Sequence, residues 1–225
     1  YPGDRFFYFT TCGWMMWNWL VSALAIGATV MLYDGAAFMP HKNHLFDMAE
    51  QERISVFGTS AMFISAAAKA DVQPESTHDL SNLRTILSTG SPLTPENFDY
   101  VYSHVKKDVC LSSISGGTDI ISCFALGNPL LNVYKGELQC IGLGMDVLSY
   151  DSHAHSVKNQ KGELICKSPF PSMPIYFWND TDGRKYYNSY FNKYENVWTH
   201  GDFIEINNFN GVIPVQMGEI PIVLI

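Results

Sequence analysis

Thr118 and Asp119 set a hydroxyl beside a carboxylate directly after two glycines, in the run LSSISGGTDI from Leu111 to Ile120. Such a pair suits a hard cation such as Mg²⁺ and the phosphate oxygens it bridges, because magnesium takes oxygen ligands from one or two carboxylates. A strand predicted at residues 109–112 would stop at Gly116-Gly117, where glycine lets the backbone take positive φ and lets a ligand approach the main chain. Ligands in open α/β sheets settle outside the carboxyl ends of the strands. The same residues would also make an ordinary Gly-Gly turn with a polar flank, so other segments have to decide.

Two further polar turns follow predicted strands. One is Thr89-Gly90-Ser91-Pro92, after a strand over residues 83–88; the other is His200-Gly201-Asp202, read as the end of a strand beginning near Val197. His41 with His44, and His153 with His155 near Asp151, carry metal-ligating groups, but each pair reads as part of a solvated polar loop. No G-x-S-x-G, G-x-x-x-x-G-K-[ST] or G-x-G-x-x-G motif occurs in the sequence.

The elements that must position these turns alternate. A helix follows Trp14, a strand is predicted at 28–33, helices at 45–53 and 60–70, a strand at 55–58, and a helix from Thr94-Pro95-Glu96 to about residue 105. That order, with connections short enough for crossovers, predicts an α/β fold with a mostly parallel sheet and helices on its faces. Past Phe124 the chain turns to short β-rich runs punctuated by Pro, Gly and Asn, among them G-E-L-Q-C at 136–140 and G-E-L-I-C at 162–166. Residues 169–182 read as a loop.

At 47% hydrophobic and 16% charged residues, the composition supports a packed core. A net charge of −8 excludes a typical nucleic-acid partner. Five scattered cysteines without a C-x-x-C pair predict free thiols in a reducing, cytoplasmic setting. Residues 6–33 hold no charge and are long enough to span a bilayer. Trp14, Trp17, Val21 and Leu24 at helical spacing, Gly27, and the strand-like Thr29–Tyr33 predict instead a helix followed by a core strand, with no membrane span. The chain starts at Tyr1 with no signal-peptide pattern, and is expected to be a piece of a longer protein.

Several segments, in order, then carry a resemblance: GDRFFYFTTCGWMMWNWLVSALAIGA, STGSPLTPE, SISGGTDIISCFALGNPLL, KGELQCIGLGM, GELICKSPFPSMPIYFWND and VWTHGDF. From about Pro2 to Gly211 they resemble the acyl-CoA synthetases of the adenylate-forming superfamily, and within that group the ligases of acetoacetate. The resemblance implies part of the large N-terminal domain of that fold. Residues 1–125 would form an incomplete α/β subdomain with flanking helices. Residues 126–225 would form a β-rich, distorted barrel-like subdomain, with a divergent tail at 212–225.

It implies ATP, Mg²⁺ and coenzyme A as cofactors and co-substrates, with acetoacetate as the acid, and a two-step ligation through an acyl-adenylate. By motif, Gly90, Ser91 and Pro92, with Ser113, Ile114 and Ser115, would flank the adenine. Thr118 would meet phosphate, and Asp119 would stand in place of the usual metal-binding Glu, one methylene shorter. Asp202 would accept hydrogen bonds from both ribose hydroxyls, as a carboxylate can. Met15, Met16, Thr89 and Gly116 would line the acyl pocket, Gly116 leaving room that an aromatic closes in acetate-activating relatives. The family's upstream phosphate loop, its Gly-Arg-x-Asp hinge and its lysine-bearing C-terminal domain do not occur in these 225 residues, so the chain alone is expected not to complete the ligation. A noncatalytic protein acting through a binding surface is the alternative. A membrane-associated protein anchored by residues 6–33 is a third.

Overall fold

The computed structural model describes residues 1–216, and within them the chain forms two units. The first comprises residues 1–114 with 129–136, the second residues 115–128 with 137 onward. The junction expected after residue 125 thus differs from the observed one, because residues 115–117 pair with the strand that follows them.

In the first unit β1 (Arg5–Tyr8), α1 (Met15–Ser22), β2 (Thr29–Met31), α2 (His44–Gln51), β3 (Val56–Ser60), α3 (Ala61–Lys69), α4 (Pro74–Thr77), β4 (Thr85–Thr89), α5 (Pro95–Tyr100) and β5 (Cys110–Ser113) follow one another. The five strands are parallel in the order β2-β1-β3-β4-β5. One row of apolar side chains crosses four of them in register: Phe7, Phe57, Ile86 and Leu111. All four are buried, each worth roughly 1.5–3 kcal/mol of transfer free energy. Phe46 of α2 stacks on Phe57 at 5.7 Å, and Phe63 of α3 and Phe98 of α5 join the same core. Both faces of a parallel sheet must be covered, and the helices supply that cover here.

The uncharged stretch at 6–33 opens in β1, which its pattern does not predict, and then forms the predicted helix and strand; that strand is the short, partly exposed edge strand β2 rather than a core strand over 28–33. After α1 a single 3₁₀ turn, Ala23–Ile26, ends at Gly27, whose φ of 75° stops the helix before β2. No helix among the described residues is long and apolar enough to cross a membrane. The helix expected to run to residue 105 is α-helical only through Tyr100 and widens into a π turn over Val101–Val105. The loop near Pro74 holds the one-turn helix α4.

The second unit carries β6 (Ser115–Gly117), β7 (Ser122–Leu126), β8 (Cys140–Ile141), β9 (Val147–Tyr150), β10 (Ser156–Val157), β11 (Lys161–Cys166), α6 (Arg184–Tyr190), β12 (Trp198–Ile206) and β13 (Val212–Gln216). They form two antiparallel sheets, ordered β6-β7-β8 and β10-β9-β11-β12-β13, with one bridge between Leu138 and Val212. Pro214 lies in the edge strand β13, where a missing N–H costs no internal ladder bond. Part of the tail expected to diverge from residue 212 is therefore a regular strand; residues 217–225 lie outside the described ones. Helix α6 is not foreseen by the apolar pattern. Asp180 starts it by accepting the backbone N–H groups of Lys185 and Tyr186 at 3.1 and 2.9 Å.

Gly116 and Gly117 lie in β6, not in a turn, and neither has positive φ; that conformation falls on Ile121 (φ 48°) at the end of the hairpin. Nor does His-Gly-Asp end a strand: β12 runs through it, with a register break opposite Glu163–Ile165 and Gly201 at φ 90°. The break is a bulge, which needs the left-handed residue that glycine supplies at no steric cost.

Candidate functional site

In the first unit the expected residues gather where parallel strands end. Thr59, Ser88 and Ser113 pair across β3, β4 and β5, two positions beyond the apolar row and therefore on its face. Thr89 follows at the end of β4, opposite Ser60, and the Ile114 N–H donates to the Ser88 carbonyl at 3.0 Å. The side-chain oxygens of Thr59 and Ser88 are buried without a hydrogen-bond partner, a costly arrangement that a polar ligand at this edge would relieve. Gly90 turns the chain at φ 87°, and Ser91 and Pro92 continue it away from the strand. Ser60 caps α3 by accepting the Phe63 N–H at 3.1 Å. At the start of α1, Met15 is buried and Met16 half-buried.

The second unit brings together Asp119, His200 and Asp202, and adds Tyr190. The Tyr190 hydroxyl donates to Asp119 Oδ2 at 2.6 Å, while Asp119 Oδ1 accepts the Ile120 N–H at 3.1 Å. His200 Nε2 lies 3.9 Å from Asp202 Oδ2. The imidazole is buried, with Phe124 edge-on at 4.7 Å. Gly117 is required here for packing: a Cβ would collide with Asp119 Oδ1 and come within 3.3 Å of His200 Cε1. At Gly116 a Cβ would collide with the Ser122 carbonyl oxygen across the hairpin. The missing side chain is thus demanded by the β6–β7 pairing itself, and substituting an aromatic there would disturb the hairpin before it could report on acyl length. Thr118 and Asp119 stay half-buried, whereas Asp202 is only 1% exposed. Beside Asp202, Gly201 is exposed, and a Cβ there would meet nothing within 4 Å.

Tyr190 and His200 are the residues that the sequence did not nominate. Tyr190 stands 71 positions from Asp119, and nothing local in R-K-Y-Y-N-S-Y signals a carboxylate partner. His200 was legible only as part of a motif. Burial pushes the Tyr190 phenol well above its usual range, and the Asp119 carboxylate pushes it further. Burial also lowers the pKa of His200, against the pull of Asp119 and Asp202. The ring is therefore neutral at neutral pH.

A pH dependence follows from that shift. Since the folded His200 binds its proton less readily than the unfolded one, stability is full above the unfolded pKa, near 6.5. It falls as pH drops from there through the folded value, because the unfolded state then holds more protons. The carboxylates with lowered values, such as Asp4 and Asp180, act only in more acidic solution. Thermal midpoints should fall between about pH 7 and pH 5, and His200→Gln should flatten that slope. An unchanged slope in the variant would assign it elsewhere.

The polar loops separate by geometry. Asp151 Oδ1 accepts the N–H groups of His153 and His155 at 2.8 and 2.9 Å, a turn with solvated rings, as expected.

Comparison with known proteins matches residues 1–177 to the AMP-binding enzyme family. An acetoacetyl-coenzyme A synthetase of Rhizobium meliloti (strain 1021) is 57% identical over 211 residues, 94% of this chain and 32% of the relative. An acetoacetyl-CoA synthetase of Danio rerio is 49% identical over 215 residues, 96% of this chain and 32% of the relative. Among solved structures, the acetoacetyl-CoA synthetase from Streptomyces lividans is similar with a TM-score of 0.89 at 43% identity, over 96% of this chain and 36% of that one. The chain thus spans about a third of the length of the curated relatives it matches.

Proposed function

This chain belongs to the AMP-binding enzyme family, and from that membership we propose that it carries part of the machinery of an ATP-dependent acid–CoA ligase acting on acetoacetate in the cytoplasm. The observation that carries the reading is its identity to acetoacetyl-CoA synthetases over nearly its whole length. In this reaction the acid's carboxylate attacks ATP to give an acyl-adenylate and pyrophosphate, and the coenzyme A thiol then displaces AMP.

The residues divide that work. Gly90, Ser91, Pro92, Ser113, Ile114 and Ser115 flank the adenine, and the polar layer at the ends of β3, β4 and β5 supports this role. Asp202 accepts from the ribose hydroxyls. Thr118 meets phosphate oxygen. Met15, Met16, Thr89 and Gly116 border the acyl group.

Asp119 fits Mg²⁺ as a hard oxygen donor. Each of its oxygens accepts one hydrogen bond, and a carboxylate offers about four acceptor sites in all. When bound, Mg²⁺ supplies charge neutralisation at the phosphates. Tyr190 holds the Asp119 carboxylate in one orientation, and positioning of this kind is what adenylation demands of a protein.

The test is ATP–pyrophosphate exchange by the full-length polypeptide carrying these residues. Exchange should require acetoacetate and exceed that with acetate by about tenfold or more, the discrimination that one or two carbon atoms of an acyl group provide. Exchange independent of the acid, or equal for the two acids, would overturn the assignment.

A further inference from the structure

Away from the residues assigned to the nucleotide and acyl group, one cluster of metal-ligating side chains is built from a single short stretch. His44 opens α2 and Asp47 follows three residues later, so both project from one face of its first turn. His41 lies three residues before His44, in the turn where its carbonyl accepts the His44 N–H at 3.1 Å. One nitrogen from each ring and one carboxylate oxygen of Asp47 all lie within 4.8 Å of one another. His41 Nε2 is 3.1 Å from Asp47 Oδ2. The other oxygen, Oδ1, meets Nε2 of the buried His78 at 2.8 Å, and His78 Nδ1 is 2.7 Å from the Thr77 hydroxyl. The carboxylate is thereby oriented from behind, with its second oxygen turned to His41.

We propose that His41, His44 and Asp47 form a binding site for a divalent transition-metal ion of the zinc type, with His78 as the positioning residue for Asp47. Two imidazoles and one carboxylate suit zinc and its neighbours, whereas Ca²⁺ and Mg²⁺ favour oxygen ligands throughout. Ligand atoms around one zinc at about 2.0–2.1 Å stand roughly 3.3 Å apart in a tetrahedron. The His41–Asp47 pair, at 3.1 Å, is already at that separation, and His44 has to close from no more than 4.8 Å. His41 is exposed, so water can complete the coordination. The arrangement Thr77–His78–Asp47–metal has the form of the outer-sphere chain that fixes a ligand's orientation in known metal sites. All three ligands come from residues 41–47, so the site is independent of the reading of Asp119 and Asp202.

Zinc binding is measured by competition with a chromophoric chelator, and coordination by the visible spectrum of the Co²⁺ form, both on the full-length polypeptide without nucleotide. One equivalent should bind. His41→Ala and His44→Ala should each weaken binding by about 100-fold or more, and His78→Gln by about tenfold. Asp119→Asn and His153→Ala should leave it unchanged, with far-UV circular dichroism reporting an intact fold in every variant. No zinc bound with Kd below about 100 µM, or binding that survives His41→Ala, would show that His41 and Asp47 form only a surface ion pair.

Discussion

Asp202→Asn in the full-length polypeptide should lower kcat/KM for ATP by about 30- to 100-fold, the loss of roughly 2–3 kcal/mol from one charge-assisted hydrogen bond. Asparagine keeps the shape of the buried side chain and one acceptor oxygen, so the fold should survive. What is lost is the carboxylate's charge and its second acceptor oxygen, and with them the strong acceptance from two vicinal hydroxyls. The decisive comparison uses 2′-deoxy-ATP. If Asp202 binds the ribose, the unsubstituted protein should penalise the missing hydroxyl strongly, and the variant should penalise it much less. Equal penalties in both proteins would separate Asp202 from the ribose, whatever the variant's absolute rate. The variant also removes a charge 3.9 Å from His200, so its pH–stability profile should shift in step.

Trp198→Ala should cost about 3–5 kcal/mol of stability, the range for truncating a fully buried large aromatic. Trp198 is 1% exposed and sits in the core of the second unit. Its ring stacks on Tyr190 at 3.6 Å and meets Phe170 and Phe191 edge-on at 5.3 and 6.0 Å. At about 2–4 °C per kcal/mol for a chain of this size, the melting temperature should drop by about 6–20 °C. Trp178→Ala supplies the control. That residue is 75% exposed, and substitutions at such positions usually stay within about 0.5 kcal/mol. Comparable losses for the two would mean that the aromatic cluster does not hold this unit together. Because Tyr190 lies between Trp198 and Asp119, the Trp198 variant should also weaken any function that depends on Asp119's orientation.

Both experiments probe contacts that differ in how far they could be read from residues alone. The stop at Gly27 and most of the alternation of helix and strand through residue 113 are local signals. They arise from side-chain spacing and backbone sterics within a few residues, and the folded chain keeps them. The turn residues Thr89–Pro92 were legible for the same reason: glycine and proline state their backbone conformations directly. At Gly116-Gly117 the glycines are demanded by close packing and not by a turn. Free backbone torsion is a local property, whereas the close approach of Ser122, Asp119 and His200 is not.

Residue patterns alone were enough for most of the helix–strand order of the first unit, though not for β1 or α4, for the β-rich character of the second, and for the residue types at the polar strand ends. The folded arrangement made β12 continue through His200-Gly201-Asp202 as a bulge, since a bulge is defined by the partner strand β11. It alone joined Tyr190 to Asp119 across 71 residues and turned Asp47 toward His41 from behind through His78, 31 residues away. Local patterns are set by the few neighbours that share a turn or a pleat. The polar contacts of a site depend on which distant segments the hydrophobic core brings within hydrogen-bond reach, and that information lies in the packing of the whole chain.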